Sequence, residues 1–261
     1  MTMLENSLEL SPRRALAVWQ RNFLVWRKLA LPSVLGNLAD PMIYMFGLGY
    51  GLGGLLPQVA GVPYIAFLAA GTVCASTMNA ASFEALYSAF SRMHVQRTWD
   101  AILNAPVSLE EVVAGEWLWA ASKATLSGCA ILVVISLMGL THGPGVLWVI
   151  PLIFLIGLTF AALGLIVTAL TPSYDFFMYY FTLLITPMTL LSGVFFPVSQ
   201  LPAAAQALAQ IMPLTHAIAL IRPLLLGTPI DTPLLHIAML AAIALLAFAT
   251  ALRLARRRLL K

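Results

Sequence analysis

VLWVIPLIFLIGLTFAALGLIVTAL, residues 146–170, is a run of 25 residues without a single charge. A helix that is apolar on every face belongs inside a large core or a bilayer. About 20 consecutive apolar residues suffice to cross the hydrocarbon. Five further stretches of that kind flank it, at 31–56, 64–90 and 117–140 before it and at 176–196 and 233–252 after it. The pattern predicts an all-α integral membrane protein with six transmembrane helices.

The composition agrees. Of 261 residues, 61% are hydrophobic and 9% are charged, against about 25% charged in a soluble domain. Spans and short links use up the chain, so residues 1–261 read as one transmembrane domain. Cys74 and Cys129 sit in apolar stretches as small packing residues, and no metal site is expected. The net charge of +4 is juxtamembrane. It suits contact with membrane lipids and does not call for nucleic acid.

The charge distribution orients the pattern. Arg13, Arg14, Arg21, Arg27 and Lys28 precede the first span. Arg92 and Arg97 lie between the second and third, and Arg253, Arg256, Arg257, Arg258 and Lys261 follow the last. Basic residues are retained in the cytoplasm during insertion, so these segments and both termini are expected there. The links on the other side carry only Arg222. The first ten residues are polar and acidic, so the first span is expected to act as an uncleaved signal.

Residues 12–30 carry a helical period ahead of any span. Arg14, Arg21 and Lys28 mark one face, and Leu16, Trp19, Phe23 and Trp26 the opposite one. That is the pattern of a helix lying in the membrane interface, as an anchor or as part of a docking surface.

Several candidate sites follow. Gly49, Gly51 and Gly54 formally match G-x-G-x-x-G, but the run ends a span, where glycine serves packing or a helix end. No glycine precedes Lys28, Lys123 or Lys261, so the chain has no phosphate-binding loop, and energised work would draw on a partner or a gradient. Charges inside spans are costly. Glu84 and Lys123, near the cytoplasmic ends of neighbouring helices, are expected to pair. Asp40 precedes Pro41 and is expected to cap or hydrate the kink there, with a polar substrate contact as its functional alternative. Ser192 and His236, near the outer face, raise an intramembrane serine hydrolase, although the G-x-S-G loop of the rhomboid family is absent. A stand-alone channel or scramblase is the other alternative.

Two links are not tight. Arg97-Thr-Trp99-Asp100-Ala-Ile102-Leu103-Asn-Ala-Pro106-Val-Ser-Leu109 reads as a short amphipathic helix, a proline break and a capping box of Ser108 with Glu111. Trp99, Ile102 and Leu103 are too apolar for a solvated loop, which marks a docking elbow. The outer segment 197–232 has apolar pieces too short to span, divided by Pro197, Pro202 and Pro213. It reads as a broken re-entrant hairpin.

With Leu190-Leu-Ser-Gly-Val-Phe-Phe196-Pro197-Val-Ser-Gln-Leu-Pro202, Met212-Pro213-Leu-Thr-His216, Arg222-Pro223 and Leu103-Asn-Ala-Pro106, the chain resembles the ABC-2 family of ATP-binding-cassette permeases over nearly its whole length. The resemblance implies the ABC-2, or type V, exporter fold in a bacterial inner membrane. It implies two permease copies, each engaged by a separate ATPase subunit that binds the ATP and Mg. No catalytic residue or cofactor is then expected in this chain. The implied cargo is a lipo-oligosaccharide, a glycolipid or another amphipathic molecule. The family's coupling helix maps to Arg97–Leu109 and its outer hairpin to Pro197–Arg222, which includes His216 and is entered through Phe196. Spans 1, 2 and 5 are expected at the homodimer interface. Tyr44, Phe46, Phe177, Tyr180 and Phe181 are expected to give the substrate pathway an apolar, aromatic lining, with an interfacial aromatic belt as the alternative.

Overall fold

The computed structural model describes residues 11–143 and 145–259. Lys261 and the ten-residue acidic start lie outside the described residues. The helices are α1 (Pro12–Trp26), α2 (Ala30–Gly51), α3 (Tyr64–Val95), α4 (Thr98–Leu103), α5 (Leu109–Leu137), α6 (Val146–Leu170), α7 (Phe176–Leu191), α8 (Ala203–Ile211), α9 (Pro213–Leu226) and α10 (Pro233–Leu259). A two-residue antiparallel pair, Gln58–Val59 with Val62–Pro63, makes the turn between α2 and α3.

Among the described residues, α3, α5, α6 and α10 are long and apolar enough to cross a membrane. The expected spans 64–90, 117–140, 146–170 and 233–252 fall on them. α3 runs on to Val95 and α10 to Leu259, and α5 already begins at Leu109. The other two expected spans are α2 and α7. α2 carries Asn37 and Asp40, which lower its hydropathy. α7 has sixteen residues, or about 24 Å at about 1.5 Å per residue, short of the about 30 Å hydrocarbon core.

α6 lies at the centre, packed against α3, α5, α9 and α10. The face of α10 toward α6 is Leu240, Ala244, Ala247, Ala251 and Ala255. Small residues at that spacing let two backbones approach closely. Thr159 Oγ1 of α6 donates to the Leu240 carbonyl at 3.2 Å. α1 lies against α5. A Cβ at Gly115 would lie 2.8 Å from the Ala15 carbonyl oxygen, so glycine is what admits α1 there.

α1 docks on α5 along a strip that neither marked face supplies. Its buried residues are Ala15, Val18 and Asn22, the quarter-turn between the basic and aromatic faces. Small side chains on that strip let α1 come close, while the flanking long ones wrap around α5. Trp19 Nε1 donates to Ser122 Oγ at 3.0 Å. Arg14 reaches Glu111, with Nε 2.8 Å from both carboxylate oxygens. Leu16, on the apolar face, is 52% exposed.

The outer segment forms α8 and α9, bent by 86° at Met212–Pro213. Met212 is extended, φ −80° and ψ 127°, the conformation that a following proline favours. Gly227, at φ 71°, closes α9 in the left-handed conformation.

Candidate functional site

Two polar regions occupy α3, one toward the elbow and one in its middle. The first is a buried ion network around Glu84, Arg92, Glu116 and Lys123. Arg92 Nη2 donates to Glu84 Oε1 at 2.9 Å, and its Nε donates to the two oxygens of Glu116 at 2.9 and 3.1 Å. Lys123 Nζ lies 2.7 Å from Glu84 Oε2. Trp119 Nε1 donates to Glu84 Oε1 at 2.8 Å, and Trp99 Nε1 to Glu116 Oε1 at 3.2 Å. Each carboxylate thus accepts from several donors, which is what makes a buried charge tolerable. Around Arg92 the helix widens into two i→i+5 turns, Glu84–Ser88 and Ser91–Val95. Thr168 of α6 donates to the Ala85 carbonyl there at 2.6 Å.

This network holds the elbow. Trp99, buried at 2% exposure, ties α4 to α5 through Glu116. Arg97 turns the chain from α3 into α4 at φ 50°. The capping box is present: Glu111 N donates to Ser108 Oγ at 3.3 Å, and Ser108 N to Glu111 Oε2 at 2.9 Å. Ser11 N also donates to Glu111, at 2.8 Å, so one carboxylate joins the start of α1 to the elbow. Arg256 forms an ion pair with Glu110. Arg258 Nη1 donates to the carbonyls of Thr168, Ala169 and Thr171 at 3.2, 2.9 and 2.7 Å, capping the end of α6. The C-terminal basic cluster therefore ties α10 to α5 and α6.

Of the expected coupling residues, Arg97, Asp100 and Pro106 are exposed, Ile102 and Leu103 half-buried, and Trp99 and Leu109 buried. The outward surface of the elbow consists of Asp100, Ala101, Asn104, Ala105 and Pro106.

The second region is a cleft of about 350 Å³ between α2, α3 and α7. Aromatic rings hold α7 away from α3: Phe83 and Phe181 are 4.5 Å apart, Tyr87 and Phe177 5.0 Å, Phe90 and Phe177 5.3 Å. Asp40 and Tyr44 line the cleft from α2, and Thr72, Ser76 and Asn79 from α3. Phe181, Thr186 and Thr189 line it from α7. Ser76 is shared with Ser127 at 3.4 Å, and Thr189 Oγ1 donates back to the Ile185 carbonyl at 2.8 Å. Asp40, Thr72, Asn79 and Thr186 make no side-chain hydrogen bond among the described residues, so Asp40 is not seen capping the Pro41 kink. A Cβ at Gly71 would lie 2.6 Å from the Val194 carbonyl oxygen, so glycine lets the outer wall close onto α3.

Tyr44 and Phe181, of the five expected pathway residues, line this cleft. Phe177 and Tyr180 are buried in packing, Tyr180 beside Ser82 at 3.4 Å, and Phe46 stacks on Tyr50. The wall is also more polar than an aromatic pathway. Its stripes were readable: Thr72, Ser76 and Asn79, and Thr182, Thr186 and Thr189, each recur at i, i+4 and i+7.

The end away from the elbow is organised by Arg222. Its guanidinium lies 3.7 Å from the centre of the Phe67 ring, and Nη2 donates to the Gly193 carbonyl at 2.6 Å. His216 and His236 share a 2.8 Å contact between their Nδ1 atoms. In the hairpin, Pro213 is buried, Phe196 and Pro197 half-buried, and Pro202 exposed. Ser192 donates to Met212 Sδ at 3.7 Å. The geometry therefore gives the hydrolase reading no pairing of Ser192 with His236.

The profile of the family described as "ABC-2 type transporter" matches residues 13–226. Nodulation protein J of Rhizobium leguminosarum bv. viciae is 52% identical over 94% of this chain and 95% of its own length. Nodulation protein J of Sinorhizobium fredii is 48% identical over 97% of each. The inner membrane transport permease YadH of Escherichia coli is 22% identical over 84% of each.

Proposed function

The chain belongs to the ABC-2 type transporter family, and from that premise we propose that it is the permease subunit of an ATP-driven exporter. It is a multi-pass membrane protein of the transport-permease kind. Two copies would pair in a bacterial inner membrane with both termini cytoplasmic. Each copy would engage a separate ATPase that binds ATP and Mg.

One observation carries the coupling: the elbow is wired to the helix that lines the cleft. From Trp99 the bonds run through Glu116 and Arg92 to Glu84 on α3, whose middle bears Thr72, Ser76 and Asn79. A push on α4 reaches the cleft wall through charge-assisted bonds and not through a soft loop. The mixed lining suits an amphipathic cargo with a hydroxyl-rich head, such as a lipo-oligosaccharide or a glycolipid. Apolar rings would take the chain, and the unpaired hydroxyls and amide the head. In this reading the second copy covers the open side of the cleft along α2 and α7.

Ala101→Arg tests it. Ala101 is exposed on the elbow, so the protein should fold and reach the membrane normally. Co-purification with the neighbouring ATPase subunit, and cargo-stimulated ATP hydrolysis, should fall about tenfold or more. Ser199→Arg, exposed on the outer segment, should change neither. Full stimulation in Ala101→Arg would overturn the proposal.

A further inference from the structure

A smaller cavity, about 170 Å³, lies between α1, α3 and α5 beside the ion network. Its walls include Arg21 and Asn22 from α1, Glu84 and Arg92 from α3, and Trp119 and Lys123 from α5. The local charges do not cancel. Glu84 and Glu116 are taken up by Arg92 and Lys123. Arg21 is then a third cation, and its one side-chain hydrogen bond among the described residues is Nη1 to Asn22 Oδ1 at 2.9 Å. Asn22 is 3% exposed, and its amide nitrogen has no hydrogen-bond partner among the described residues. A buried donor without an acceptor costs free energy, and so does a half-buried cation facing another. Burial and then Arg92 lower the pKa of Arg21, against the pull of Glu116. A guanidinium does not relieve such a position by losing its proton; an anion relieves it.

Position identifies the anion. Leu24 and Val25 of α1 and Arg27 and Lys28 just after it are exposed, and the cavity is bordered by Trp26 and Trp119. Indole rings favour headgroup depth, and basic clusters there attract anionic lipids.

We infer that this cavity binds the phosphate of an anionic phospholipid from the leaflet on the elbow side, held by Arg21 and the Asn22 amide. The site does not depend on the transport reading. Bound there, the phosphate touches α1, α3 and α5 together, next to the bonds that hold Trp99.

The test uses the full chain purified in phosphate-free detergent. Its thermal midpoint and native mass spectrum are recorded with phosphatidylglycerol, with phosphatidylcholine and with inorganic phosphate. Phosphatidylglycerol should raise the midpoint and remain bound in the mass spectrum, and the other two should do neither. Arg21→Gln should weaken its apparent affinity about tenfold or more. Arg253→Gln, exposed on α10 and away from this cavity, should leave it unchanged. Asn22→Leu, which keeps every charge, should weaken it to a smaller extent and serves if Arg21→Gln does not fold. An equal response to phosphatidylcholine would overturn the inference, as would unchanged binding in both site variants. An equal response to inorganic phosphate would assign the site to free phosphate and overturn the lipid source.

Discussion

α3 carries two polar regions built on opposite terms. Toward the elbow, Glu84 and Arg92 meet Glu116, Lys123, Trp99 and Trp119 in a set where each carboxylate accepts several donors. About one to three turns away, Asn79 and Thr72 face a cleft with Asp40 and Thr186, and none of these four has a side-chain partner among the described residues. In an apolar surround a charge must be paired internally or it opposes the fold. A hydroxyl or amide on an open cleft can wait for water or a ligand. The difference separates what holds the molecule from what is available to bind.

The comparison breaks first if the ion network is dispensable. Glu84→Gln leaves Lys123 without a carboxylate and Arg92 with Glu116 alone. Removing one partner of a buried pair costs about 3–5 kcal/mol. The variant should accumulate poorly in membranes, and its purified form should unfold at much lower temperature or denaturant. A loss under about 1 kcal/mol would mean that water already screens the network, against the magnitude expected of a buried pair.

A smaller effect sharpens the link to the elbow. Trp99→Phe keeps an aromatic ring in the buried site but deletes the N–H that donates to Glu116. A hydrogen bond to a charged group is worth about 1.5–3 kcal/mol, and the lower end applies because Arg92 still holds Glu116. Proteolysis within residues 97–108 should speed up in the native protein. If that loop stays protected, Trp99 packing alone fixes the elbow and the wiring to α3 is not needed.

Much of this was legible in the sequence, and the reason differs by element. The uncharged run 146–170 and its companions declared the helices because hydropathy over about 20 residues is a one-dimensional signal. The Glu84–Lys123 pair followed from two costly charges near the same ends of adjacent helices, and Ser108 with Glu111 from capping-box spacing. Trp99 was misassigned to the surface because apolar character alone does not say which way a short helix faces, and its partner Glu116 lies 17 residues on. Arg14 and Arg21 were legible as one face of α1, but periodicity gives the faces of a helix and not which strip docks. The docked strip was the least conspicuous one, Ala15, Val18 and Asn22. The polar stripes of α3 and α7 were present at helical spacing, but aromatic residues in the same helices drew the pathway assignment.

The smallest stability effect is the most discriminating. Asn79 is half-buried, makes no hydrogen bond among the described residues and faces the cleft. Asn79→Leu keeps the branched shape and the number of heavy atoms and replaces the amide with methyl groups. Away from a bonded network such a change is usually within about 0.5 kcal/mol, so unfolding midpoints should match the parent. Binding of an amphipathic glycolipid, read by quenching or by stimulated ATP hydrolysis, should nevertheless weaken, because a ligand hydroxyl entering the cleft loses its partner and stays buried without one. Thr72→Val should behave alike on the same wall. If Asn79→Leu instead destabilises by more than about 1.5 kcal/mol with binding intact, the amide belongs to the scaffold. The two regions of α3 would then differ in charge and not in role.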